Sequence, residues 1–268
     1  MQQIRTRVMG ILNVTPDSFS DGGNFQTFDD ALLQAEALIG AGADILDVGG
    51  ESTRPYAEPV SLEEELARTI PLIKAVRSRH TIPISIDTTK AEVARQALAA
   101  GADIINDISA LKKDPEMIAV AASTNVPVII MHMQGTPADM QNRPSYSNVV
   151  DDILAFLEER INWMVQNGVN RERIIVDPGI GFGKTITHNL SIIKHLDRFR
   201  SLGLQVLLGH SRKSFLGHLT GLEAEQRDLP TAVVSALAVP HQVDIIRVHD
   251  VAATRHALQV AEAIFQAE

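Results

Sequence analysis

The chain has 268 residues, 45% of them apolar and 21% charged, which is enough material for a full buried core. It contains no Cys, which excludes a disulfide framework, a Cys-based zinc site and a thiolate nucleophile, and fits a reducing cytoplasm. A net charge of −9 with no basic stripe argues against a nucleic-acid partner; no apolar run has the length of a membrane helix, and the N-terminus lacks the apolar stretch of a secretory signal.

Short β-branched runs alternate with longer amphipathic segments from end to end. The first run, 8–12, closes on Asn13, and the second, 45–46, on Asp47. The third, 82–86, closes on Asp87, and the fourth, 104–105, on Asn106. The fifth, 126–131, ends in Met131 and closes on His132. The sixth, 174–176, closes on Asp177. The seventh, 205–208, closes on Gly209-His210-Ser211, and the eighth, 243–246, on Arg247 and His249. Continuous apolar runs mark strands buried on both faces, as in a parallel sheet. Between them, 29–39, 62–76, 91–100 and 251–264 fit helices. Apolar residues across 149–165 also recur at helical spacing, with Asp151-Asp152 near the start and Gly168 past the end.

Eight strand–helix units in this length predict an α/β fold, a (β/α)8 barrel forming a single domain over 1–268. An open doubly wound sheet is the alternative, which the count and the lack of a dinucleotide fingerprint disfavour. An internal echo supports closure. Gly42-Ala43-Asp44-Ile45-Leu46-Asp47 matches Gly101-Ala102-Asp103-Ile104-Ile105-Asn106, and Asp244 to Arg247 shares the frame. An Asp enters each strand and a polar group leaves it three residues later. In a barrel all strand C-termini open on one mouth, so Asn13, Asp47, Asp87, Asn106, Asp177 and Arg247 converge there.

The sixth strand runs into Pro178-Gly179-Ile180-Gly181-Phe182-Gly183-Lys184-Thr185, which has the look of a phosphate loop. The look fails on inspection, because Pro178 stands where the first glycine is required. The glycines instead allow a tight turn, or close approach of a flat ligand to Asp177 and Phe182. Lys184 is expected at the surface or at a helix start.

Several stretches together resemble one family, dihydropteroate synthase. They are Met9 to Gly23, Asp47 to Pro55, Ser85 to Thr88, Asn106-Asp107, Asp177 to Lys184, Ser211 to Ser214, and Arg247 to Asp250. The resemblance covers nearly the whole chain and falls on the strand ends. It implies a transferase of folate biosynthesis that joins 6-hydroxymethyl-7,8-dihydropterin diphosphate to p-aminobenzoate, releasing 7,8-dihydropteroate and pyrophosphate, with Mg2+ assisting. It also implies a homodimer. The alternatives are a pterin-dependent methyltransferase or a catalytically silent pterin-binding paralogue.

The resemblance assigns roles that the side chains can perform. Asp177 accepts the pterin N3–H and 2-amino hydrogen bonds together, a charge-assisted pair. Asn106 offers a donor and an acceptor to the mixed ring edge. Asp87 is the third pterin contact and steadies positive charge on the exocyclic methylene. Lys213 bonds the pterin and borders the p-aminobenzoate pocket, beside Ser211, while Phe182 and Met131 line the site. Arg247, His249 and Asn13 form the diphosphate end, with Asp47 supporting it. Asn13 is the expected Mg2+ ligand, since a hard cation takes oxygen donors and substrate phosphates. Thr53 and Arg54, with Pro55, Ser18 and Phe19, resemble the p-aminobenzoate pocket, on long loops suited to act as lids. The bare alternative for each strand-end residue is simple capping. Asp87, Lys213 and Arg247 are the residues expected to act in catalysis.

Overall fold

The computed structural model describes residues 5–14, 24–52, 59–136 and 139–267, and for 24–27 the backbone alone. The strands are β1 (Arg7–Asn13), β2 (Ile45–Gly49), β3 (Ile84–Asp87), β4 (Ile104–Asp107), β5 (Val128–Met131), β6 (Ile174–Asp177), β7 (Gln205–Leu208) and β8 (Ile245–Val248). They pair in parallel in chain order and close into a barrel, β8 returning to β1. The predicted α/β barrel is therefore the fold. β3 and β5 begin later than their apolar runs because Pro83 and Pro127 carry no N–H. Each proline carbonyl still receives a neighbour's amide, from Leu46 and Ile105, both at 3.0 Å.

Among the described residues the helices are α1 (Asn24–Gly40), α2 (Leu62–Arg79), α3 (Ala91–Ala100), α4 (Met117–Ser123), α5 (Val149–Gln166), α6 (Ile186–Lys194), α7 (Ser214–Thr220), α8 (Asp228–Ala238) and α9 (Val251–Phe265). All five segments read from the sequence are helical. α4 and α7 are too short for a periodic signal to stand out, and β7 is followed by two helices. Asn148 caps α5 by accepting from the amides of Val150 and Asp151, so its start is set one residue before the apolar stripe.

The interior is layered by the two-residue period of the strands. Met9, Ile45, Ile104, Ile129, Ile175, Leu207 and Ile245 form one buried apolar cluster inside the barrel. Two residues further along come Ile11, Asp47, Asn106, Met131, Asp177, Gly209 and Arg247, and Asp87 stands two beyond Ser85. The intervening residues, such as Leu46, Val48, Ile105, Val176 and Val248, belong to the larger core under the helices. Alternation inside the apolar runs thus lifts Asp47, Asp87, Asn106, Asp177 and Arg247 above a dry floor, with Ile11, Met131 and Gly209 filling the rest of that layer.

The entering Asp of the echo has a separate task at the other end. Asp44 Oδ2 accepts from the Val8 amide at 2.7 Å, Asp103 Oδ2 from the Ile84 amide at 2.8 Å, and Asp244 Oδ2 from the Val206 amide at 2.8 Å. Each therefore caps the adjacent strand, and each also pairs with an arginine: Arg255, Arg77 and Arg200 respectively. One short repeat supplies a stability device at the barrel's base and a functional side chain at its mouth.

Candidate active site

Four of the predicted residues form one ion network at the mouth. Arg247 Nε donates to Asp47 Oδ2 at 2.5 Å, and Arg247 Nη2 to Asp87 Oδ2 at 2.7 Å. Asn106 Nδ2 donates to both oxygens of Asp47, at 3.4 and 3.3 Å. Asp47 is fully buried beneath the guanidinium. Burial alone would lower the Arg247 pKa; the carboxylates of Asp47 and Asp87 outweigh it and hold it raised. Burial pushes Asp87 up to about 7, against the pull of Arg247. Arg247 Nη1 keeps its donors with no partner among the described residues, and these are available to a ligand.

Asp177 stands across the mouth and is buried. Its Oδ1 accepts the Gly179 amide at 2.7 Å. Its Oδ2 has no hydrogen-bond partner among the described residues, and a Cβ at Gly209 would lie 3.3 Å from it. A glycine there keeps a side chain from crowding Oδ2. Burial raises Asp177 to about 6, opposed by the Gly179 amide, Lys213 and Arg247.

The glycine loop does what a turn requires, and it contains no phosphate clamp. Gly179, Gly181 and Gly183 all have positive φ. A Cβ on Gly179 would sit 1.9 Å from the His132 carbonyl, and one on Gly183 2.5 Å from the Gln134 carbonyl. The loop is thus pressed against the segment after β5, which only glycine permits. That packing brings Phe182 into a buried cluster with Ile108, Met131 and Met140. Lys213 Nζ lies 3.9 Å from the Phe182 ring centroid, a cation–π contact. Lys184 corrects the expectation of a surface position. It is buried, and its ammonium bonds His132 Nδ1 at 3.0 Å, the Phe182 carbonyl at 2.9 Å and the His132 carbonyl at 3.3 Å.

Ser211 and Lys213 face the mouth because Arg212 between them takes φ of 55°. Arg212 turns outward and grips Asp228 with Nε and Nη2, both at 2.7 Å. Ser211 Oγ lies 2.8 Å from His249 Nδ1 and accepts the His249 amide at 3.1 Å. With the hydroxyl donating to Nδ1, the imidazole proton sits on Nε2, where it is a donor. α7 starts at Ser214, with Lys213 as N-cap.

Asn13 ends β1 opposite Gly49, which in turn pairs with Asp87. A Cβ at Gly49 would lie 3.6 Å from Asn13 Oδ1 and 3.5 Å from Asp87 Cβ. A side chain at Gly49 would thus stand in ordinary contact with the Asn13 amide oxygen and the Asp87 methylene, and the glycine leaves that space free. Among the described residues no three His, Asp or Glu side chains cluster to hold a metal ion. A cavity of about 420 Å3 opens on this mouth, lined by Asp87, Thr88, Ile108, Ser109, Met131 and Phe156 among others. Thr53, Arg54 and Pro55, and the loop holding Ser18 and Phe19, lie outside the described residues.

Sequence reasoning missed Gly49 and Gly209 as spacers, and His132, Gln141 and Tyr146 as partners of the glycine loop. The glycines lay in view within quoted stretches. Nothing local marks the three loop partners, because their bonds span 37 to 52 residues.

A barrel mouth that gathers Asp47, Asp87, Asn106, Asp177 and Arg247 from separate strands is a polar ligand-binding site. Comparison with known proteins narrows it. The profile of the pterin binding enzyme family matches residues 9–249. The dihydropteroate synthase of Synechocystis sp. is 48% identical, over 98% of this chain and 91% of that one. Among solved structures, the Yersinia pestis dihydropteroate synthase with a sulfonamide drug is 42% identical with a TM-score of 0.94, covering 100% of this chain and 97% of that one. The Xanthomonas albilineans dihydropteroate synthase with 4-aminobenzoic acid is 46% identical with a TM-score of 0.93, covering 98% and 94%. The chain belongs to the dihydropteroate synthase family, pterin-binding transferases of folate biosynthesis.

Proposed function

We propose that the strand-end residues of this chain divide the condensation of 6-hydroxymethyl-7,8-dihydropterin diphosphate with p-aminobenzoate into a pterin half and an anion half. The observation that carries this is the open Oδ2 of a buried Asp177, facing a glycine across from the Arg247 network. A carboxylate in that setting takes two parallel N–H donors, as the pterin amino edge offers. Asn106 and Lys213 complete the grip, with Phe182 and Met131 as the apolar wall.

Arg247, His249 through Nε2, and Asn13 receive the diphosphate. The C–O bond to the leaving pyrophosphate breaks first. Asp87 offsets the positive charge that develops on the methylene carbon. The aniline nitrogen of p-aminobenzoate then forms the new C–N bond and releases a proton to solvent or to pyrophosphate. An aromatic amine is nucleophilic while neutral, so no strong general base is needed. Thr53 and Arg54 would close the p-aminobenzoate side.

The Asn13 amide oxygen at the end of β1 is a hard donor of the kind that would suit a Mg2+ carried in with the diphosphate. When bound there, with Asn13 as its protein ligand, the ion supplies charge neutralisation for the leaving group. A homodimer is supported by the exposed faces of α8 and α9. Leu229, Val233 and Leu237 recur every four residues, and Val260, Ile264 and Phe265 continue the apolar surface. Among the described residues no helix is long and apolar enough to cross a membrane.

Calorimetry of Asp177→Ala tests the pterin half. The pterin diphosphate should bind more than about tenfold more weakly, since a charge-assisted pair is lost. Near-normal titration would refute the assignment. Pyrophosphate release that requires p-aminobenzoate separates this reading from a silent pterin binder.

A further inference from the structure

We propose that Lys184 is a positioning residue for the reaction: its buried ammonium ties the loop after β6 to the end of β5 and so fixes the Phe182 wall against Lys213. The inference rests on Phe182 lining the substrate pocket.

Three consecutive loop carbonyls are each taken by a side-chain donor. Gln141 Nε2 donates to the Gly181 carbonyl at 2.7 Å, Lys184 Nζ to that of Phe182 at 2.9 Å, and Tyr146 Oη to that of Gly183 at 2.7 Å. Gln141 and Tyr146 sit on the exposed side of the loop or half-buried; only Lys184 works from within. Its other two protons go to His132, one to Nδ1 and one to the carbonyl. All three donors of the ammonium are therefore satisfied, and all are spent on two residues, Phe182 and His132. The His132 carbonyl is the same atom that a Cβ on Gly179 would strike. The contact therefore lies at the tightest point between loop and barrel.

The partner is itself held. The His132 ring meets Phe156 edge-on at 4.9 Å between centroids, and Tyr146 at 5.9 Å. Burial lowers His132 to about 3, with Lys184 adding to the effect, so the ring is neutral and Nδ1 accepts. Burying a cation is expensive unless every donor is used. A glycine turn that only needed to be closed could be closed by an apolar side chain. The arrangement instead commits a buried amine, its pKa lowered to about 7 by burial, to the carbonyl of the residue whose ring supports Lys213.

The test is a double-mutant cycle on the full-length enzyme, with kcat and KM measured for each substrate in turn. Lys184→Met keeps the unbranched stem and removes the donors. It should raise KM for at least one substrate by about tenfold while kcat changes by less than about threefold. In a Phe182→Ala background the same change should cost less than about twofold, because its route to the substrate is gone. If Lys184→Met does not fold, Lys184→Gln, which can still reach one carbonyl, is read in the same way. Unchanged KM for both substrates, or a full tenfold effect in the Phe182→Ala background, overturns the proposal. An unimpaired Phe182→Ala enzyme overturns the premise that Phe182 lines the pocket, and the two failures are thereby distinguished.

Discussion

Asp177 shows how one residue sets a pH dependence. Its carboxyl is raised to about 6 by burial, and only the ionised form accepts two N–H donors. Pterin diphosphate affinity should therefore rise with pH up to about 6 and level off about one unit above it. Below pH 6 it should fall by up to about tenfold per unit, and Asp177→Asn should flatten that limb; titrations at pH 5, 6, 7 and 8 give the profile. The same burial has a stability cost. Between the ordinary 3.8 and about 6 the folded chain holds a proton on Asp177 that the unfolded chain has lost, so stability falls as pH rises through that window. At pH 7 Asp177→Asn should raise stability by about 1–3 kcal/mol while binding fails, a result that denaturant unfolding would register. At Gly179 the constraint is steric. With φ of 72° and a carbonyl 1.9 Å from the would-be Cβ, Gly179→Ala should cost at least about 3 kcal/mol, measured by denaturant unfolding.

At the scale of elements, the strand does two jobs at two ends. Asp44, Asp103 and Asp244 cap neighbouring strands at the base, and Asn106 and Arg247, with Asp47 buried beneath them, stand at the mouth. Asp44→Ala should lower stability by about 1–2 kcal/mol, as loss of one buried-amide partner does, and leave both KM values within twofold. A large KM change there would contradict the separation. Strands and their terminal polar residues were legible in the sequence because a strand buried on both faces has to be continuous and apolar, and any exception stands out. The apolar floor and the polar ring follow from the period of two once the barrel is granted. The loop after β6 was only half legible. Its glycines announced a turn, and the missing first glycine excluded a phosphate cradle. Burial of Lys184 could not be read, because a lysine before a helix is ordinarily solvated and its partner His132 lies 52 residues away. Four helices escaped, α4, α6, α7 and α8; for α4 and α7 the reason is that seven residues give fewer than two full helical turns.

The molecule as a whole is a barrel whose chemistry sits at one rim and whose apolar helix faces lie outside it. Leu229, Val233 and Leu237 on α8, with Ile264 on α9, are exposed in the single chain. Val233→Asp should shift the sedimentation of the protein toward the monomer, and an unchanged coefficient would remove the helical faces as the dimer interface. The resemblance in the sequence already implied the reaction. The structure contributes the reason those residues work together: a shared mouth, with Gly49 and Gly209 clearing space beside Asn13 and Asp177. The division of the mouth into a pterin half at Asp177 and an anion half at Arg247 is the central claim. Crystals soaked with pterin diphosphate and Mg2+ test it most directly. The pterin amino edge should lie on Asp177, with the diphosphate or released pyrophosphate on Asn13, Arg247 and His249. Phosphate density settled instead on Lys112 and Lys113 at the cavity rim, or on the glycine loop beside Lys184, would contradict it.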